Sequence, residues 1–240
     1  ELERVLPDDY SPLLTPNETQ RALAAVKRHI EDGLCRELNL FRVEVPLIVT
    51  EESGVNDYLD RDGSRTPVSF PCGLGIEPRL RAQVVQAATK WKRLALKQFD
   101  CEVGEGIVTD MRAVRKDYFL DHDHSAYVDQ WDWERVITPE ERTLDFLTDV
   151  VRAIWNVLKE AELYVHEHHP ALADAYEPLP DELTFLHAED ILEAYPELPR
   201  KERETAILQD YPAIFIYGIG WELADGYPNE LRAADYDDWS

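Results

Sequence analysis

Apolar residues recur along this chain with two different periods, and the switches between them mark out the elements. After Thr15-Pro16-Asn17-Glu18, the residues Leu23, Val26, Ile30 and Leu34 follow at helical spacing with charged residues between them. One apolar face at this period predicts an amphipathic helix to about Leu38. Its start is signalled by threonine as N-cap, proline at the first helical position and glutamate three residues after the cap. Residues 1–14, with Pro7 and Pro12, keep no period and predict an irregular arm. A strand is predicted over 40–49, with Pro46 marking an edge or an end. Then come a polar loop over 51–71 and a second helix from 79 to about 98. A further strand is predicted over 107–114, and a polar connection over 115–125. Thr138-Pro139-Glu140-Glu141 repeats the cap signature. Leu144, Leu147, Val151, Ile154, Leu158 and Ala161 then share one face of a long helix. Beyond the irregular stretch of Pro170, Pro178 and Pro180, a strand (183–187), two helices (188–195 and 201–209) and an apolar strand (213–219) lead into a loop-like acidic tail (221–240).

Residues 126–134, Ala-Tyr-Val-Asp-Gln-Trp-Asp-Trp-Glu, break the simple pattern. As a strand, they send Tyr127, Asp129, Trp131 and Trp133 to one face and Val128, Gln130, Asp132 and Glu134 to the other. Trp131 and Trp133 belong to a core. A row of Gln, Asp and Glu is either a solvated face of an antiparallel sheet or the floor of a site for a polar ligand. Residues 107–114 and 126–134 form a long-looped hairpin with Arg115 at its mouth. No internal repeat or low-complexity linker interrupts the chain, so one mixed α+β domain is the economical reading.

Composition narrows the partners. Lys and Arg number 25 against 49 Asp and Glu, a net charge of −24 over 240 residues. Such a field repels phosphate backbones and argues against a nucleic-acid partner, while leaving room for a locally basic pocket for one nucleotide. Lys90-Trp91-Lys92-Arg93 is a basic anomaly that reads, on charge alone, as a solvated helix face. No apolar run is long enough to span a membrane, and the first residues lack the pattern of a secretory leader. Cys35, Cys72 and Cys101 fit no metal or redox motif and read as reduced thiols of a cytoplasmic protein. His166, His168 and His169, just before Pro170, read as histidines favoured by a helix C-terminus rather than as metal ligands.

Together, and in this order, several stretches resemble the ammonia-dependent aspartate–ammonia ligases of the asparagine synthetase A type. They are Lys90-Trp91-Lys92-Arg93, Gly104-Glu105-Gly106, Ser125, the run from Tyr127 to Glu134, Gly218-Ile219-Gly220 and Asp235-Tyr236-Asp237-Asp238-Trp239-Ser240. The resemblance implies an antiparallel sheet flanked by helices, the core of class II aminoacyl-tRNA synthetases. It implies a single catalytic domain over 17–240, incomplete at its C-terminal end, with 1–16 as an arm, in a cytoplasmic homodimer. The implied reaction converts aspartate, ATP and ammonia to asparagine, AMP and pyrophosphate with Mg²⁺, through a β-aspartyl-adenylate.

The same resemblance assigns roles. Arg115 meets the α-phosphate or the attacking carboxylate, and Lys92 adds positive charge toward the substrate carboxylate. Gln130 and Asp132 bind substrate, as does Tyr236, and Ser125 lies near the nucleotide. Asp57 and Asp237 hold the substrate ammonium or orient ammonia. Metal ligands are not assigned. Two departures stand out. Gln86-Ala87 occupies positions where the family pattern has His-Ser, and the family's C-terminal segment with its third-motif arginine is not in these 240 residues. The chain is then either a fragment of a longer protein or a truncated, non-catalytic relative that keeps the binding scaffold; a class II synthetase-like protein is the other alternative expectation.

Overall fold

The computed structural model describes residues 10–60, 62–75, 77–118, 120 and 124–230. Helix α1 (Pro16–Leu38) starts as its sequence predicts: the Thr15 hydroxyl accepts the Glu18 N–H, and the Glu18 carboxylate accepts the Thr15 N–H at 2.9 Å. The helix stops where Asn39 turns left-handed at φ 55°. Its Ile30, Leu34 and Leu38 form the main core with Leu40, Val108, Val157 and Ala161. The helix carrying Val157 comes close: a Cβ on Gly33 would lie 2.6 Å from a Val157 methyl group.

Residues 40–49 are not one strand. They divide into β1 (Leu40–Arg42) and β2 (Ile48–Thr50), which belong to different sheets. Pro46, between them, has no N–H to offer a ladder. The expected helix over 79–98 is also half wrong. Leu80–Val84 is a strand, β4, antiparallel to β2 and to β3 (Ser69–Cys72), and helix α2 (Thr89–Gln98) begins only after it. The alternation of Arg81 and Gln83 with buried Ala82 is the strand period. The polar loop is shorter than expected, giving up its end to β3 and opening with a 3₁₀ turn, Glu51–Ser53.

The central hairpin is β5 (Gly106–Val114) against β6 (Tyr127–Arg135), antiparallel over nine pairs that place Thr109 opposite Asp132. β1 joins the other side of β5 in parallel, giving the order β1-β5-β6. Gly106 is where these strands meet. A Cβ there would stand 2.2 Å from the Glu134 carbonyl oxygen and 2.7 Å from Leu40.

The second cap signature closes only the 3₁₀ turn Pro139–Glu141. The chain then breaks at Arg142, and Thr143 caps helix α3 (Leu144–His168) afresh. After the short α4 (Pro170–Ala173), β7 (Thr184–His187) and β8 (Ile214–Tyr217) pair in parallel, with α5 (Ala188–Ala194) and α6 (Arg200–Ile207) between them. The sheet expectation therefore holds for β5–β6 and β2–β4–β3, while β1–β5 and β7–β8 are parallel additions. The histidines sit at the end of α3 as expected, with His168 stacked on Tyr164 at 4.1 Å. No group of three or more metal-binding side chains occurs among the described residues. Nor, among them, is any helix long and apolar enough to cross a membrane.

Candidate active site

The two faces of β6 have different partners. On one, Lys27 of α1 reaches Asp129 at 2.8 Å, and the Trp131 indole donates to the Lys27 carbonyl at 3.2 Å. Trp131 and Trp133 pack against the core. On the other face lies a cleft of about 260 Å³, lined by Ala87, Thr89, Lys92, Gln130, Asp132 and Glu134 together with Trp131 and Trp133. The polar row of β6 is thus the wall of a cleft rather than an open solvated face.

Lys92 projects from α2 into this wall and is 2 % exposed. Its ammonium donates to Asp132 Oδ1 at 2.5 Å and to the Trp133 carbonyl at 3.2 Å, and lies 3.7 Å from Glu134 Oε1. The expected solvated basic face is accordingly wrong for Lys92. A buried ammonium needs this pairing, because its charge costs several kcal/mol to remove from water. Arg93 approaches Glu134 from the same helix at 3.7 Å. Burial pushes the Glu134 carboxyl above its ordinary range, and the Asp132 and Asp57 charges push the same way against Lys92 and Arg93. Sequence reasoning left Glu134 out of the site, although its place on the same face as Gln130 and Asp132 was the available signal.

Asp57 is 1 % exposed, and its bonds to α2 are structural. Its oxygens accept the N–H of Thr89 at 2.6 Å and of Lys90 at 3.1 Å, the first residues of α2. The residue just before α2, Ala88, has no side chain to cap it. A carboxylate from a distant loop performs that task and meets the positive end of the helix. Asn56 fixes the same loop, donating to the Val84 carbonyl and accepting the Gln86 N–H. Gln86 is itself buried and donates its amide to the carbonyls of Asp57 and Arg65. At that departure from the family pattern, then, stands a side chain that braces the loop.

Arg115 leaves the end of β5 toward the cleft. Its Nε donates to the Gln86 carbonyl at 3.2 Å and its Nη2 to Gln130 Oε1 at 3.4 Å. Among the described residues its other N–H groups have no partner. The Tyr118 ring lies 5.6 Å from its guanidinium carbon and 4.0 Å from that of Arg65. Ser125 is exposed and accepts the Tyr127 N–H at the mouth of β6. The structure thus gathers Lys92, Gln130, Asp132 and Arg115, with Asp57 behind them; Tyr236 and Asp237 lie outside the described residues.

The cleft therefore has two signs. Arg115 stands beside it, bonded to Gln130 of its wall, while Asp132 and Glu134 flank Lys92 within the wall. Such an arrangement suits a small ligand carrying both an anionic and a cationic group.

Comparison with known proteins places the chain in a family. The family model AsnA, aspartate-ammonia ligase, matches residues 17–240. The aspartate–ammonia ligase of Clostridium perfringens strain SM101 is 44 % identical over 235 residues, covering 98 % of this chain and 68 % of the relative. That of Bacillus cytotoxicus is 43 % identical over 230 residues, covering 96 % and 68 %. Among solved structures, the asparaginyl-tRNA synthetase of Pyrococcus horikoshii, complexed with asparaginyl-adenylate, superposes with a TM-score of 0.63. Identity there is 11 %, over 84 % of this chain and 44 % of that one. The Entamoeba histolytica asparaginyl-tRNA synthetase, also complexed with asparaginyl-adenylate, gives 0.52 at 13 % identity, over 88 % and 48 %. At such low identity these likenesses establish the class II synthetase-like fold alone. The sequence matches establish the rest: this chain belongs to the aspartate–ammonia ligase family.

Proposed function

We propose that this chain activates the side-chain carboxylate of L-aspartate with ATP and passes the acyl group to ammonia. The two-signed cleft on β6, in a chain of this family, carries the reading. An aspartate oxygen attacks the α-phosphorus, and the bond to the bridging oxygen of pyrophosphate breaks. Ammonia then attacks the acyl carbon of the β-aspartyl-adenylate and AMP leaves.

A carboxylate and a polyphosphate repel each other, so the first step needs cations held in place beforehand. Arg115 is the group for this: Gln86 and Gln130 hold one side of its guanidinium and leave other N–H groups for the α-phosphate or the attacking carboxylate. Gln130 and Asp132 bind the aspartate. Lys92, already held by Asp132, sets that carboxylate in place and adds positive charge beside it. Asp57 acts through α2, fixing the turn from which Lys92 projects. Glu134, with its raised affinity for protons, is the cleft's acceptor for the proton that ammonium must lose. Asp237, Tyr236 and Ser125 keep their proposed places around substrate and nucleotide.

Mg²⁺ would arrive with ATP, held largely by phosphate oxygens and water, and would neutralise phosphate charge. A homodimer is part of the reading, supported by the outer edge of β1, unpaired among the described residues, where Phe41 is 45 % exposed. The −24 charge disfavours the synthetase-like alternative with its nucleic-acid partner.

The test is pyrophosphate release from ATP that requires both aspartate and ammonium. Arg115→Ala should abolish it with an unchanged melting temperature. Absence of release from this chain and from one extended past Ser240, with retained nucleotide binding, would instead identify a non-catalytic relative.

A further inference from the structure

Around Tyr118 the structure gathers two positive charges that the reaction as described uses only in part. Arg65, on the loop after β2, lies over the same ring as Arg115, and nearer to it, at 4.0 Å. Three further contacts build this meeting of two loops. Gln86 joins the arginines, its side chain donating to the Arg65 carbonyl at 3.3 Å and its own carbonyl accepting from Arg115 Nε at 3.2 Å. Asp117, next to Tyr118, accepts the Thr66 N–H at 3.1 Å, next to Arg65.

Two guanidinium groups brought to one aromatic ring repel each other, and the ring's cation–π attraction offsets only part of that. Neither charge is used up. Arg65 pairs with Asp60 through Nε at 3.2 Å, and among the described residues its terminal nitrogens have no hydrogen-bond partner. Among the described residues Arg115 likewise keeps N–H groups beyond its bonds to Gln86 and Gln130. The neighbouring Lys116 differs, because Asp117 binds its ammonium at 2.7 Å. In a chain of net charge −24, two guanidinium forks held at one ring, with donors open among the described residues, make a local anion-binding edge beside Gln130 of the cleft wall.

We propose that Arg65 is a second phosphate-binding arginine, held beside Arg115 by the Tyr118 ring, and that the pair grips a polyphosphate. The ligand is the triphosphate of ATP or the pyrophosphate cut from it. This assignment rests on the reading that the cleft handles ATP, and it adds a residue that reading does not use.

Equilibrium binding of inorganic pyrophosphate and of ATP, each with Mg²⁺, tests it by calorimetry without turnover. Arg65→Ala should weaken binding of both about 30-fold, the worth of one charge-assisted hydrogen bond to an anion. Arg65→Lys should recover part of the loss. Tyr118→Ala should weaken binding as well, while Tyr118→Phe, which keeps the ring, should bind like the wild type. Weakening for ATP alone narrows the ligand to the triphosphate and also supports the assignment. Asp60→Asn separates it from a structural role, because it breaks the Arg65 ion pair yet frees the guanidinium. It should bind as tightly as the wild type or more so.

Wild-type affinity in Arg65→Ala, a loss in Asp60→Asn equal to that in Arg65→Ala, or a wild type that binds neither ligand overturns the proposal. Arg65-dependent binding without aspartate- and ammonium-dependent AMP formation would sink the ligase reading and leave this site standing. Turnover with binding indifferent to Arg65 would do the reverse.

Discussion

Asp57 offers the sharpest test of how this site is held. Its carboxylate is buried and accepts two N–H groups from the first turn of α2, at 2.6 and 3.1 Å. Losing an N-cap acceptor costs about 1 kcal/mol. A carboxylate facing a helix N-terminus in a buried setting adds up to about 2 kcal/mol. Asp57→Ala should therefore lose about 3 kcal/mol. Asp57→Asn keeps one neutral acceptor oxygen and should lose roughly half of that. For a chain of this length, 1 kcal/mol lowers the melting temperature by about 3 °C, so the expected drops are about 9 °C and 4 °C. Scanning calorimetry measures them directly, and aspartate-dependent pyrophosphate release should fall in the same order as Lys92 loses its footing. Should both variants melt within about 1 °C of the wild type and yet be inactive, the capping role would be wrong. Asp57 would then act on substrate, as the family resemblance implies.

The remaining predictions concern the same wall and the strand beneath it. Lys92→Met leaves Asp132 and Glu134 facing each other without their cation and should cost about 3 kcal/mol, seen in chemical denaturation. Adding Asp132→Asn to that variant should restore much of the loss, and a double variant no more stable than the single one would refute the pairing. Glu134 has a raised folded-state pKa, so its contribution to stability is present at acid pH and lost as pH rises through that value. Glu134→Gln should therefore melt higher than the wild type at neutral pH, with the advantage vanishing on acidification; an advantage that grew on acidification would reverse the sign. Gly106→Ala drives a Cβ into the Glu134 carbonyl and the Arg135 Cα, backbone atoms that cannot swing away. It should destabilise by about 3 kcal/mol or more, as overpacking does, and a normal melting temperature would contradict the close approach.

What could be read from the sequence was what is local. Thr15 and Glu18 sit three residues apart and cap α1 as their spacing says. The alternation over 126–134 assigned Asp129 and Gln130 to opposite faces, and their partners, Lys27 and Arg115, lie on those two sides. Where short segments carried both periods, sequence misled. Leu80–Val84 is too brief for two and a half pleats to be told from a helix turn, and its ladders with β2 and β3 decide the matter. The split of residues 40–49 likewise depends on which sheet each half can reach. In the site, residue types were legible but connections were not. The carboxylate that caps α2 is 32 positions from the N–H it binds, and Lys92 is 40 from Asp132. Arg65 and Tyr118 carry no motif at all, so only the meeting of their loops makes them neighbours.

The parallel pairing of β1 with β5 has a consequence for biosynthesis. Leu40 leaves the ribosome well before its partner Gly106, and Gly33 long before Val157, against which α1 packs. At about 5–20 residues per second, β1 waits several seconds for β5. Through that interval the apolar stripe of Ile30, Leu34 and Leu38 lacks its later partners Val108, Val157 and Ala161. This nascent segment is thus a natural client for chaperones, and synonymous codons that slow translation between positions 42 and 106 lengthen its exposure.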